Sequence, residues 1–237
     1  MALYPYQERV KALIQQGRSV VLQAPTGCGK TRAALAPYIE AFFNMPPNSF
    51  PRKCIYSVPM RVLASQFEAE YASLALSYNK RFRTDLQVRI QTGERSEDPQ
   101  FLEDMIFATI DQSLSSALAV PYSLSPGRAN MNAGAIYSSY LVFDEFHLFP
   151  SGENGDASGA LVTTLQLLAA LKGVVPFVLM TATFSSTMLA ELASRLGAEV
   201  VTVSVEEYAA IASGKGKTAR RRFFHTQAQP VSADAVL

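Results

Sequence analysis

The octapeptide Ala24-Pro25-Thr26-Gly27-Cys28-Gly29-Lys30-Thr31 follows an apolar run, Ser19-Val20-Val21-Leu22-Gln23. A strand, a glycine-bearing turn, Gly-Lys-Thr and a helix together make a loop whose backbone amides point inward and hold polyphosphate at a helix N-terminus. In that chemistry Thr26, Gly27, Cys28 and Gly29 form the cradle. Lys30 reaches the β- and γ-phosphates, and the Thr31 hydroxyl holds Mg²⁺. The pattern usually opens with glycine, and that position is Ala24 here. An ordinary Gly-rich turn is the plain alternative, and a second signature downstream disfavours it.

That signature is Tyr140-Leu141-Val142-Phe143-Asp144-Glu145-Phe146-His147. An apolar run ending in two acids puts both carboxylates at the C-terminal edge of a buried strand, where open α/β sheets bind ligands. Asp144 is placed to hold Mg²⁺ with Thr31, partly through water. Glu145 is placed to orient and polarise an attacking water. Lys30, Asp144 and Glu145 are therefore the expected catalytic set. Alone, Asp-Glu also reads as a solvated acidic turn.

Weaker signals surround these two. Gln7, in Tyr4-Pro5-Tyr6-Gln7, can donate and accept at an adenine edge while an aromatic neighbour stacks on the base. Pro59-Met60-Arg61 leaves a strand and opens a helix, a geometry suited to a nucleic-acid backbone phosphate. Thr92-Gly93 and Thr109-Ile110-Asp111-Gln112 are expected to repeat it, so that Pro59, Arg61, Thr92, Gly93, Thr109 and Gln112 track one strand without reading bases. Each could equally be a plain helix cap. Thr181 and Thr183, in Met180-Thr181-Ala182-Thr183, are expected to bond the acidic turn through His147 and so couple the two surfaces.

The elements that must position these groups alternate. Strand-like runs fall at 19–23, 53–58, 88–91, 105–108, 140–144, 177–180 and 199–203. Helix-like runs fall at 6–16, 30–44, 61–78, 111–118, 157–172 and 185–196. Several strands are continuous apolar runs, which implies burial on both faces. The pattern predicts an α/β fold with a doubly wound, mostly parallel sheet and helices on both faces. Segments 44–52, 93–100 and 121–134 read as loops. Beyond Ser213 the small, basic stretch Gly214-Lys215-Gly216-Lys217-Thr218-Ala219-Arg220-Arg221-Arg222 reads as a linker.

Composition narrows the class. With 237 residues, 49% of them hydrophobic and 17% charged, the chain can fill a core and is not a disordered tail. A net charge of +1 means that any nucleic-acid contact must come from local groups. Cys28 and Cys54 make no disulfide framework and suit a reducing compartment. The apolar region 161–180 contains Gln166, Lys172 and Pro176, so it does not read as a membrane span.

Taken together, Gln7, 24–31, Pro59–Arg61, Thr109, 144–147 and 181–183 resemble the first RecA-like motor domain of a superfamily 2 helicase, over roughly residues 4–205. Ala-x-x-Gly-x-Gly-Lys-Thr is typical of that superfamily. Asp144-Glu145-Phe146-His147-Leu148-Phe149 and Ala108-Thr109-Ile110-Asp111-Gln112 look most like the CRISPR-associated helicase of type I interference systems, which is DEAD/DEAH-box-like. Thr181-Ala182-Thr183 departs from the family's Ser-Ala-Thr but keeps the hydroxyl. The resemblance implies a P-loop NTPase with ATP and Mg²⁺ as cofactors, single-stranded DNA as track (RNA as the alternative), and a cytoplasmic, prokaryotic setting without membrane. It also implies a guide-RNA surveillance complex and a nuclease as partners.

Two features of that family are not in this sequence. The Gln-x-x-Gly-Arg-x-x-Arg segment of a second motor domain is absent, and so is a metal nuclease's cluster of His and Asp, since the chain has two histidines. The expectation is thus a motor domain at residues 1–212, a linker or the start of a second domain at 213–237, and a second RecA-like domain supplied in cis or in trans. Rival readings are an RNA helicase or restriction-type translocase half-motor, and a truncated module that binds nucleotide or nucleic acid without catalysis.

Overall fold

The computed structural model describes residues 2–44, 50–150 and 159–214. Seven strands, β1 (Ser19–Gln23), β2 (Cys54–Val58), β3 (Val88–Gln91), β4 (Met105–Thr109), β5 (Tyr140–Phe143), β6 (Phe177–Thr181) and β7 (Ala198–Thr202), form one sheet in the order β3-β4-β2-β5-β6-β1-β7. Every pairing is parallel. All residues of β2, β4, β5 and β6 are buried, as expected for strands covered on both faces.

Strand residues alternate between two cores. Val20, Leu22, Tyr56, Phe107 and Val142 pack beneath α1 (Pro5–Gln15), α2 (Lys30–Phe43) and α3 (Arg61–Phe82). Val21, Ile55, Ile106, Leu141 and Phe143 pack against α4 (Ile110–Ala117), α5 (Ala129–Tyr137), α6 (Ala160–Ala170) and α7 (Ser186–Leu196). The period of two along each strand therefore builds a three-layer sandwich. Gly197 closes α7 in the left-handed conformation, as its position past the helix end predicts.

Several boundaries differ from the sequence reading. Segment 121–134 is not all loop: α5 begins inside it, because Ala129 and Ile136 bury an apolar face despite interruption by Asn and Gly. The helix α3 runs on to Phe82, held there by ring contacts of Tyr78 and Phe82 with Phe43. An unforeseen helix, α8 (Val205–Gly214), anchors Ile211 in the first core and carries the fold through residues 213 and 214 of the expected linker. The rest of that linker, 215–237, lies outside the described residues, as do 45–49 of the first loop and 157–158 of the sixth helix. Among the described residues no helix is long and apolar enough to cross a membrane.

Candidate functional site

The sheet order makes β5, β6 and β1 neighbours, so the turns that leave them share one edge. After β1 the loop at residues 24–29 uses left-handed backbone at Gly27 (φ 81°) and Gly29 (φ 92°), the latter capping α2. The position of Gly29 is doubly restricted. An added Cβ would lie 2.9 Å from the Gln7 amide nitrogen, in a conformation that L side chains avoid.

The loop is also held from α1. The Tyr6 hydroxyl donates to the Cys28 carbonyl at 2.9 Å, and Gln7 Nε2 donates to the Gly29 carbonyl at 3.0 Å. Gln7 Oε1 accepts from the Tyr4 amide at 2.9 Å, closing a capping box on α1. Burial pushes the Tyr6 hydroxyl up to about 12, against the lowering effect of its hydrogen bond with Gln7. Both ends of the Gln7 amide thus serve the protein, and the residue is buried. The free amide expected at the adenine edge is not what the structure presents: reading a base requires Gln7 to exchange these bonds. Tyr6 is fully buried, whereas Tyr4, on the other side of Pro5, is partly buried and keeps a ring surface open for stacking.

The acidic turn faces the loop. Glu145 adopts left-handed backbone (φ 47°, ψ 43°), uncommon outside glycine and a strain concentrated at functional sites. That kink leads into the 3-10 turn Phe146–Leu148. Lys30 Nζ meets Glu145 Oε1 at 2.7 Å, with side-chain exposures of only 7% and 20%. A pair this buried leaves a costly uncompensated charge when either partner is removed.

Beside it lies a chain of oxygens. The buried Tyr56 hydroxyl donates to Asp144 Oδ2 at 2.7 Å and stands 3.3 Å from Thr31 Oγ1. Burial raises the Asp144 carboxyl; the Glu145 charge adds to this, while the Tyr56 hydrogen bond and Lys30 pull the other way. Burial and the Asp144 charge hold Tyr56 well above its ordinary range, so its proton stays on. Asp144 Oδ1 and Glu145 Oε2 are buried and have no hydrogen-bond partner among the described residues, Glu145 Oε2 lying 3.5 Å from His147 Nδ1. Orphaned carboxylate oxygens beside a threonine hydroxyl form a hard donor set that fits Mg²⁺ carrying water and phosphate oxygens.

The third turn follows β6. Thr181 Oγ1 lies 3.3 Å from His147 Nδ1, and the Ala24 amide donates to the Thr181 carbonyl at 3.3 Å. Gln23 clamps the same turn with both ends of its amide: Oε1 accepts from the Phe184 amide at 2.7 Å and Nε2 donates to the Phe184 carbonyl at 3.2 Å. Phe184 meets Phe146 edge to face at 5.0 Å. The two-hydroxyl contact expected here is reduced to one. Thr183 is exposed, because the turn carries it outward past Ala182.

The expected backbone-tracking residues form a second group. Pro59, Arg61, Gly93, Thr109 and Gln112 line one polar cavity of about 340 Å³ together with Asp111 and Tyr122. Arg61 opens α3, and Thr109 caps α4 without a side-chain hydrogen bond. Thr92 does not repeat this geometry. No helix follows β3, and Thr92 is buried, its Oγ1 accepting from the amides of Glu94 and Arg95. Arg61 is paired with Glu94, and Gln112 Oε1 accepts from Gln91 Nε2 at 3.3 Å.

Sequence reasoning missed Tyr56 and Gln23. A tyrosine inside an apolar strand was the available signal for the first, since a buried hydroxyl needs a partner. A glutamine ending a buried strand was the signal for the second.

Comparison with known proteins identifies the family. The profile of the DEAD/DEAH box helicase family matches residues 4–192. "ATP-dependent DNA helicase Hel308" of Thermoplasma acidophilum is 28% identical over 201 residues, covering 84% of this chain and 26% of that protein. "DEAD-box ATP-dependent RNA helicase 25" of Arabidopsis thaliana is 42% identical over 78 residues, covering 31% of this chain and 14% of that one. Among solved structures, "DUF1998 helicase MrfA bound to DNA and AMPPNP" superposes with a TM-score of 0.58 at 17% identity, over 85% of this chain and 27% of that one, a likeness of fold. The chain spans about a quarter of the length of the Hel308 relative, at 26%.

Proposed function

Since the chain belongs to the DEAD/DEAH box helicase family, we propose that residues 1–212 are the ATP-binding first motor domain of a superfamily 2 DNA helicase or translocase. The domain couples ATP hydrolysis to movement along single-stranded DNA. The observation that carries this reading is the 2.7 Å contact of Lys30 with Glu145 beside the buried Asp144–Tyr56–Thr31 oxygen chain. Lysine, paired acids and a hydroxyl meet at one point on the sheet edge, as a triphosphate site requires.

In this mechanism the backbone of Thr26, Gly27, Cys28 and Gly29 holds the phosphates. Lys30 exchanges Glu145 for the β- and γ-phosphate oxygens. Thr31 and Asp144 would hold Mg²⁺, directly or through water, and the ion would supply charge neutralisation at the phosphates. Glu145, released from Lys30, accepts a hydrogen bond from the attacking water and aligns it. His147 and Thr181 carry the change in the acidic turn to the turn after β6, which Gln23 and Phe184 tie back to the phosphate loop. Pro59, Arg61, Gly93, Thr109 and Gln112 hold the DNA backbone. A second RecA-like domain, in cis or in trans, supplies the arginines that complete the ATP site.

The pattern Asp144-Glu145-Phe146-His147 supports a finer reading, a CRISPR-associated type I helicase that works with a guide-RNA surveillance complex and a nuclease in antiviral defence. Of the Hel308 and RNA helicase 25 relatives, the one that covers more of this chain is named a DNA helicase, which favours DNA over RNA as track. The test is ATP turnover by the complete protein with single-stranded DNA, with RNA, and with a target-bound surveillance complex. The reading requires stimulation by DNA that Lys30→Ala abolishes. Turnover insensitive to Lys30→Ala refutes the site, stimulation by RNA alone moves the track, and indifference to the surveillance complex removes the finer reading.

A further inference from the structure

Tyr122 is unexplained by the fold. It is 73% exposed, among the most exposed large apolar residues described, and its hydroxyl makes no hydrogen bond to the described residues. Yet its backbone is fixed on both sides. The Val120 amide donates to the Ser115 carbonyl at 2.9 Å, and Ser123 Oγ donates to the Pro99 carbonyl at 3.1 Å. Asn132 Nδ2 reaches the same Pro99 carbonyl at 2.9 Å, so α5 braces the segment from below. A ring held in water on an anchored backbone loses little entropy when something stacks on it.

The ring stands at the wall of the cavity of about 340 Å³ that Pro59, Arg61, Gly93, Thr109 and Gln112 share. Of the other lining groups, Arg61, Thr109 and Gln112 are polar or charged and suit a sugar-phosphate backbone, Asp111 is acidic, and Pro59 and Gly93 are apolar. None of them carries an aromatic ring on which a base could stack. Resting on the reading of this surface as the DNA track, we propose that Tyr122 is a stacking platform for one base of the bound single strand. One nucleotide then has its phosphate at the α3 and α4 N-termini and its base on the tyrosine ring. Such stacking tolerates any base, because every base has a π-face, and it adds affinity without sequence preference.

The experiment measures binding of fluorescently labelled oligothymidylate to the complete protein by anisotropy across salt concentrations, for wild type, Tyr122→Phe, Tyr122→Ala and Arg61→Ala. A second readout is the fluorescence of an oligonucleotide carrying 2-aminopurine, which stacking quenches. Tyr122→Ala is expected to weaken binding about 5- to 100-fold, leave the salt slope unchanged and relieve the quenching. Tyr122→Phe retains both affinity and quenching. Arg61→Ala lowers the salt slope, since it removes a phosphate contact. Unchanged affinity and quenching in Tyr122→Ala overturn the platform even if ATP turnover falls. Failure of wild type to bind single-stranded DNA, or binding indifferent to Arg61, instead overturns the track itself.

Discussion

Glu145→Gln separates two roles that one carboxylate holds in turn. Without nucleotide, Glu145 compensates the buried Lys30 ammonium at 2.7 Å. Binding of a triphosphate must break that contact, so the carboxylate competes with the ligand for the lysine. Glutamine keeps the shape and removes the charge. Breaking one side of a fully buried pair costs about 3–5 kcal/mol. Glu145 is 20% exposed, so water softens the loss to roughly 1–2 kcal/mol. That energy is regained when phosphate arrives, giving ATP binding about 5- to 30-fold tighter than wild type. Turnover should move the other way, by a factor of about 10²–10⁴, because the water loses its acceptor. Titration calorimetry with a non-hydrolysable ATP analogue and a steady-state phosphate-release assay read the two numbers on the same protein. Lys30→Ala should lose both binding and turnover. Weaker nucleotide binding in Glu145→Gln would refute the competition, and unimpaired turnover would refute the role of Glu145 in holding the attacking water.

Three further outcomes follow from the same geometry. Gly29→Ala should lose about 1–3 kcal/mol of stability in chemical denaturation and its ATP binding, since the new methyl meets the Gln7 amide at 2.9 Å in left-handed backbone. Asp144 should give Mg·ATP affinity a dependence on pH. Burial raises its folded-state pKa above the unfolded value, so ionised Asp144 costs apo stability at neutral pH, and that cost is relieved as pH falls through the raised value. Calorimetry should find metal-nucleotide binding fading above the ordinary carboxylate range as the proton displaces the metal. Asp144→Asn should raise the neutral-pH melting temperature of the apo protein, with the gain vanishing in acid. Thr181→Val removes the 3.3 Å contact with His147 while nearly conserving volume. DNA stimulation of turnover should fall in the complete enzyme while the Mg·ATP dissociation constant stays within about threefold, well under the ~1.4 kcal/mol that a tenfold change represents.

The convergence of the glycine-rich loop and the acidic turn was readable because both are written in short, contiguous spacings. Gly27 and Gly29 take the positive φ that the loop demands, and the apolar runs before residues 24 and 144 place both motifs at strand ends. The sheet's parallel, doubly wound character was equally legible, since β2, β4, β5 and β6 are continuously buried. What escaped depends on partners distant in sequence. Tyr56 gains its meaning only when β2 lies beside β5, and Gln23 only when β1 lies beside β6. Gln7 reads as a free amide until its helix cap and its hold on Gly29 are visible. Thr92 resembles Thr109 in type and place, yet the chain after β3 turns back to pair Gln91 with Ser96 rather than entering a helix. The helix α5 was hidden because Asn130, Asn132 and Gly134 weaken its propensity while tertiary burial of Ala129 and Ile136 overrides it.

A structure of this protein grown with Mg²⁺ and a non-hydrolysable ATP analogue would bear most directly on the central claim. Lys30 should be found moved from Glu145 to the phosphates, with a metal within reach of Thr31 Oγ1 and of waters held by Asp144. A triphosphate bound elsewhere, or a Lys30–Glu145 contact still intact at 2.7 Å beside bound nucleotide, would contradict it.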